Sequence, residues 1–273
     1  MIEGAILLVG CGKLGGALLD GWFKRGLNPV DVIIVEPAGR PSIAACGKHP
    51  ALTVLARAAD VPRDFRPDAI IFAVKPQIID SVVGDYAPFV RERPLFLSVI
   101  AGKTISYFKR ALGQSAAVVR AMPNTPAAVG KAITVLAASP EVDAMQRAVC
   151  EVLMSAVGQV AWSNDESIMD AVTAVSGSGP AYVFLLAEAL AAAGEKAGLP
   201  PEMAARLARA TVAGAGAMLD QLPDSPATLR QNVSSPGGTT VAALGVLMAE
   251  KGLAPLMNEA VAAAARRSKE LAG

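Results

Sequence analysis

Histidine is almost missing from this chain of 273 residues, which has only His49. Flanked by Lys48 and Pro50, it reads as a solvated loop residue. That leaves no histidine for a Ser-His-Asp triad or a His-based metal cluster. Cysteine is scarce too: Cys11, Cys46 and Cys150 are odd in number, far apart and without CxxC spacing. This excludes a disulfide framework and a zinc site and leaves small buried thiols, so no metal is expected. Charge of one sign is also lacking, since Lys+Arg 25 against Asp+Glu 24 gives a net charge of +1. No electrostatic footprint for nucleic acid or an acidic membrane surface follows. Although 53% of residues are hydrophobic, the most apolar uncharged stretch, 171–187, is broken by Ser176, Gly177, Ser178, Gly179 and Pro180. A spanning helix needs about 20 mostly apolar residues, so no membrane segment is expected. The first residues, Met1 to Gly4, lack the basic region of a signal peptide, and the expectation is a cytoplasmic protein.

What is present is an alternation of apolar runs and helical patterns through the first half. Residues 5–9, 32–35, 69–74, 95–99 and 117–120 are apolar runs, broken only by Ser98 and Arg120, of the kind found in strands buried on both faces. Between them lie helix signals, the mark of βαβ units and a parallel sheet. Thr104 is a candidate N-cap for a helix closed by Gly113. Ser139, Pro140 and Glu141 read as cap, first-turn proline and first-turn acid of the next helix, stopped by Gly158. From Asn164 onward the pattern is alanine-rich helix broken by glycine and proline, with Gly198, Leu199, Pro200 and Pro201 separating two helices. The predicted fold is an α/β N-terminal Rossmann-type domain with a mostly parallel sheet over 1–163. An all-α C-terminal domain over 164–273 follows. Its small residues, including Gly214 and Gly216, let backbones approach closely and suit dimerisation.

Two segments carry chemistry. Gly10-Cys11-Gly12-Lys13-Leu14-Gly15 follows a strand and opens a helix, the context that makes a GxGxxG pattern specific for a dinucleotide. Gly10 permits the turn, Gly12 lets backbone approach a pyrophosphate and Gly15 lets helix and strand pack. The helix from Lys13 then aims its N–H groups at the phosphates. The bland reading is a tight βα turn with no ligand. Glu36, 21 residues after Gly15, stands where an acid binds the adenine ribose hydroxyls and disfavours a 2′-phosphate. Arg40, four residues on, reads either as a partner for such a phosphate or as a solvated loop residue. The second segment runs from Ser235 to Thr240. Gly237, Gly238, Thr239 and Thr240 precede an apolar helical pattern, so their N–H groups fall at an unsatisfied first turn fit for a small carboxylate. The hydroxyls of Ser235 and Thr240 add donors. Without further context this run reads equally as an ordinary glycine-rich helix start.

Four segments together narrow the choice: Ala73-Val74-Lys75-Pro76-Gln77, Met122-Pro123-Asn124-Thr125-Pro126, the run Val175 to Tyr182, and Asn232-Val233-Ser234-Ser235-Pro236-Gly237-Gly238-Thr239-Thr240. With them the chain closely resembles pyrroline-5-carboxylate reductase, in register over roughly residues 5–271. The resemblance implies reduction of 1-pyrroline-5-carboxylate to proline with NADPH or NADH, in a dimer or higher oligomer that binds substrate at a subunit interface. It implies that Ala73, Val74, Lys75 and Pro76, together with Val99, Ile100 and Ala101, border the nicotinamide half of the cofactor. Ile100 departs from the alanine usual there. It adds Asn124 to the cofactor residues, and Asn232 as a contact made across the subunit boundary. Val233, Ser235, Gly238, Thr239 and Thr240 become the substrate set, with Thr240 beside the imine nitrogen. A protonated cyclic imine accepts hydride without a strong enzymic acid, which agrees with a chain that has one histidine.

Two other readings remain. A 3-hydroxyacid dehydrogenase or related imine reductase shares the domain plan, but the dehydrogenases place a lysine on the helix opening the second domain, and 165–194 has none. An NAD(P)-sensing binding protein would not need the second anion site.

Overall fold

The structure, a computed structural model, describes residues 4–39 and 47–272, so Arg40 and Cys46 lie outside the described residues. Eight strands form one sheet: β1 (Ile6–Val9), β2 (Val32–Val35), β3 (Thr53–Leu55), β4 (Ala69–Phe72), β5 (Leu95–Ser98), β6 (Ala117–Met122), β7 (Ala132–Ala138) and β8 (Gly158–Ser163). The helices that lie wholly within the described residues are α1 (Lys13–Lys24), α2 (Ile79–Val82), α3 (Ile105–Leu112), α4 (Ala144–Ser155), α5 (Met169–Val172), α6 (Gly179–Lys196), α7 (Pro201–Gln221), α8 (Pro226–Asn232), α9 (Thr239–Leu247) and α10 (Leu253–Ala272).

The strand order is β3-β2-β1-β4-β5-β6-β7-β8. Its first six strands are the doubly wound dinucleotide-binding order, with the reversal between β1 and β4. All neighbours are parallel except β6 and β7. The five apolar runs are all strands, and their alternate side chains feed two cores. Ile6 and Leu8 belong to the core on one face, with Trp22 and Leu153, and Leu7 and Val9 to the other, with Phe72, Tyr86, Phe96 and Phe108. Burial on both faces removes the period-two alternation that an exposed sheet would show. Each fully buried leucine or phenylalanine of this kind contributes about 1.5–3 kcal/mol.

Three strands were not expected. β3 has only three residues, and β8 is a mixture of half-buried and exposed positions with none buried. β7 alternates buried and half-buried positions through Ala-Ile-Thr-Val-Leu-Ala-Ala, and its alanines blur the alternation. Gly158 therefore opens β8 rather than merely stopping a helix. A Cβ there would run into the backbone of Ala132, so glycine is required by close approach of two strands.

Helix capping is part as expected and part corrected. The Thr104 hydroxyl accepts from Tyr107 N–H at 3.2 Å, and α3 ends at Gly113. The Ser139 reading is overturned: α4 starts at Ala144, capped by Asp143, which exchanges hydrogen bonds with Gln146 in a capping box. Ser139 instead accepts from Val118 N–H at 3.1 Å and ties the β7 end to β6. His49 is half-buried rather than fully solvated, its ring 4.3 Å from that of Phe23. Cys11 and Cys150 are buried, as their residue type predicts.

By compactness the chain divides into two units. One comprises residues up to Gly177 together with those from Ala265 on, and the other is Ser178–Ala264. The sheet and both large cores belong to the first. In the second, α6 and α7 form a helical hairpin, closed so tightly that a Cβ on Gly194 would lie 3.3 Å from that of Ala204. Only Ala204 and Ala208 are buried among the residues of this unit. Phe184, Leu185, Val246 and Leu256 are each at least 60% exposed. A helical unit with this much apolar surface and no large buried side chain is built to be covered. By length and composition 166–196 could cross a bilayer, at a mean hydropathy of 1.3. It is interrupted by a widened turn at Thr173–Gly177, and the same apolar face serves helix-helix association equally well.

Candidate active site

The parallel register sets Val9, Val35, Phe72 and Ser98 side by side at the carboxyl edge of the sheet. The next residues, Gly10, Glu36, Ala73 and Val99, therefore emerge together, where doubly wound sheets bind ligands. Gly10 turns the chain with φ +85, and any Cβ on it would press on Val74. Gly15 packs so close to the Gly10 carbonyl that a Cβ would lie 2.6 Å from its oxygen, which seats α1 against the strand. A Cβ on Gly12, in contrast, would meet nothing within 4 Å. Nor does any side chain cap α1. An uncapped twelve-residue helix thus opens onto clear space through Lys13, Leu14 and Gly15.

A cleft of about 510 Å³ lies here, lined among others by Gly10, Gly12, Glu36, Ala73, Val74 and Lys75. Space over the loop, an open helix start and a carboxylate at the end of β2 fit a dinucleotide. Pro76, exposed beside Lys75, is not among the lining residues. Glu36 is folded inward: one oxygen accepts from Cys11 N–H at 3.0 Å and the other from Ala38 N–H at 3.3 Å. The carboxylate so fixed faces the same cleft as Arg57, a cation that sequence reasoning missed because β3, just before it, was not recognised. Arg57 is paired with Asp60 at 2.8 Å. Tyr86 lines the cleft as well, and burial pushes its hydroxyl pKa up.

Val99, Ile100 and Ala101 form the loop after β5. Val99 N–H donates to the Phe72 carbonyl at 3.1 Å, which lays the loop beside Ala73. Val99 and Ile100 are buried and Ala101 is exposed. Asn124 uses its amide inside the first unit: the nitrogen donates to the Ser176 carbonyl at 3.2 Å and the oxygen accepts from Ile133 N–H at 3.1 Å.

In the second unit, Asn232 ends α8 and the turn Val233 to Gly238 leads into α9. The Gly238 N–H is held by the Ser235 carbonyl at 2.9 Å, and Gly237 adopts φ +70. Gly238 is the N-cap of α9 and offers no side-chain acceptor, so the first-turn N–H groups at Thr239 and Thr240 have no side-chain cap. The structure thus gathers Val233, Ser235, Gly238, Thr239 and Thr240 around one helix start.

Known proteins agree along the whole chain. Residues 166–271 match the family described as pyrroline-5-carboxylate reductase dimerisation, and 5–102 match that described as NADP oxidoreductase, coenzyme F420-dependent. A pyrroline-5-carboxylate reductase of Pseudomonas aeruginosa is 39% identical over 98% of this chain and 96% of its own length. The chain belongs to the pyrroline-5-carboxylate reductase family. Among solved structures, a pyrroline-5-carboxylate reductase from Coxiella burnetii superposes with a TM-score of 0.90 at 34% identity, covering 99% of both chains. The Plasmodium falciparum enzyme, crystallised with NADP bound, gives 0.84 at 27% identity over 100% of both. Membership makes this chain an oxidoreductase that uses a nicotinamide cofactor and self-associates, and it accounts for the exposed apolar helices of the second unit.

Proposed function

We propose that this protein reduces the cyclic imine 1-pyrroline-5-carboxylate to L-proline with NADPH or NADH, the last step of proline synthesis, as a dimer or higher oligomer in the cytoplasm. The observation that carries the reading is the presence, on one chain of this family, of two open helix starts: α1 at Gly12 and α9 at Gly238. The first holds a pyrophosphate, the second a carboxylate.

When bound, the nicotinamide supplies the hydride. The chain supplies position. Gly10, Gly12, Lys13, Leu14 and Gly15 fix the pyrophosphate, and Glu36 takes the adenine ribose. Ala73 to Pro76 and Val99 to Ala101 flank the ring, while Asn124 braces the loop after β6, and Asn232 completes the site from a second subunit. Thr239 and Thr240 N–H groups hold the substrate carboxylate with the Ser235 hydroxyl, and Val233 offers the ring an apolar neighbour. The Thr240 hydroxyl orients the ring nitrogen. That nitrogen arrives protonated, the C=N carbon accepts the hydride, and the π electrons settle on nitrogen to give the secondary amine. Proximity of this kind contributes several kcal/mol, on the order of 7–11 at best.

Glu36 also bears on the cofactor. A fixed carboxylate in the cleft repels a 2′-phosphate and favours NADH, whereas Arg57 and Lys75 in the same cleft, with Arg40 outside the described residues, are cations that offset it. Loss of absorbance at 340 nm on mixing the protein with reduced dinucleotide and 1-pyrroline-5-carboxylate is the expected result. Dinucleotide binding without turnover would instead select the sensor reading, and turnover only of a 3-hydroxyacid the dehydrogenase.

A further inference from the structure

The loop from Val99 to Thr104 is held from outside by side chains that no part of the proposed chemistry uses. One oxygen of Glu166 accepts two hydrogen bonds: from Ile105 N–H at 2.9 Å and from the Arg120 guanidinium at 3.1 Å. Arg120, on β6, is the one charged side chain among the buried polar residues described, 4% exposed. Glu166 comes from the short turn just after β8. Ile105 is the first residue of α3, so the loop ends on the hydrogen bond that Glu166 makes. Burying a guanidinium is costly unless it is paired, and here the pair is aimed at one backbone N–H that closes one loop.

Other supports act on the same segment. Lys103 and the Tyr107 hydroxyl both bond one oxygen of Asp80, at 3.0 and 2.5 Å, and Asp80 belongs to α2, shortly after the Lys75–Pro76 turn. Gly102, at φ +78, sits against the backbone of Leu271, whose oxygen would lie 3.1 Å from an added Cβ. The start of the loop is fixed by Ser98, whose hydroxyl accepts from Ile100 N–H at 3.2 Å. Of these contacts the Arg120–Glu166 pair alone combines a buried charge with the end of the loop.

We propose that Glu166, held by Arg120, is a positioning residue that sets the height of the Val99–Thr104 loop against the nicotinamide ring; this rests on the reading of that loop as the ring's neighbour. The pair touches no substrate, and its effect passes through Ile105 N–H to the loop. Neutralising it leaves the glycine loop and Glu36 untouched, so the adenosine half of the cofactor is held as before while the ring loses its stop.

The test uses the full chain as Glu166→Gln and Glu166→Asp, the second keeping the charge so that a folded variant is in hand. ADP-ribose, which lacks the ring, reports the adenosine half by calorimetry, and 4-deuterated dinucleotide reports the hydride step. For Glu166→Gln we expect ADP-ribose affinity unchanged within about twofold, kcat lowered by roughly tenfold, and a larger deuterium isotope effect as hydride transfer becomes limiting. Glu166→Asp recovers part of kcat. A folded Glu166→Gln with wild-type kcat and isotope effect overturns the proposal, and so does parallel loss of ADP-ribose binding and kcat, which marks a general structural defect. A wild-type chain that binds no dinucleotide removes the functional reading itself, and with it the loop's assigned role.

Discussion

Thr240 occupies the second position of α9, where its N–H has no side-chain cap and its hydroxyl is free of helix-capping duty. Removing the hydroxyl leaves the backbone donors and the fold in place. Thr240→Ala should therefore lower turnover at least about tenfold, the scale of one well-placed hydrogen bond, while dinucleotide affinity stays near normal. Steady-state kinetics beside a binding titration separates the two, and unchanged turnover would remove Thr240 from the mechanism. Glu36 makes a second residue-scale case. Its carboxylate is fixed by Cys11 and Ala38 N–H groups in the cleft. Glu36→Ser should raise the ratio of kcat/KM for NADPH over NADH by about tenfold, because a like-charge contact with the 2′-phosphate is lost. A ratio that does not move would mean that Glu36 serves the glycine loop and not the ribose. At this scale the sequence was most readable where chemistry demands a residue type, as at Gly10, Gly12 and Gly15. It was least readable where role depends on what lies opposite, as for Arg57 or Arg120, which look like any surface arginine until the strands are paired.

Among the elements, legibility followed burial. Five of the six interior strands announce themselves as apolar runs because both faces are covered. β3 and β8 are partly exposed, and β7 is rich in alanine, so nothing separates them from loop or helix in the sequence alone. The start of α4 is hidden for a related reason: Ser139 looks like a cap, yet its hydroxyl accepts from Val118 N–H across the sheet. Between α3 and that turn, Lys109 bonds Glu141 at 2.6 Å. This contact first, and the Ser139 hydroxyl second, hold the Glu141 carboxyl below its ordinary pKa. A depressed carboxyl contributes stability that is complete above the unfolded value, about 4.3, and fades as pH falls through the native value. The stability gap between the natural chain and Glu141→Gln should thus be constant near neutrality and shrink below about pH 4. Urea midpoints across pH 3 to 7 measure it, and a gap that does not change with pH would mean that the pair does not act on folding.

At the scale of the whole molecule, the two units differ in kind. The first has a sheet with cores on both faces, whereas the second buries only two alanines of its own. Its alanine-rich pattern foretold helices and close packing, but a sequence alone does not say which apolar faces a chain keeps for itself. Family membership and this exposure both point to self-association, and mass action follows: the melting temperature should rise with protein concentration. Differential scanning at about 1 and 100 µM should separate by several degrees, and coincident transitions would show that the second unit is stable without a partner. The near-empty interior of the second unit also governs how the protein is made. The Rossmann-type unit can collapse as soon as its own strands meet, in a step that is first order in chain. The helices of the second unit acquire an interior only on encounter, so the last phase of renaturation is second order, and freshly made chains remain adhesive until they find one another.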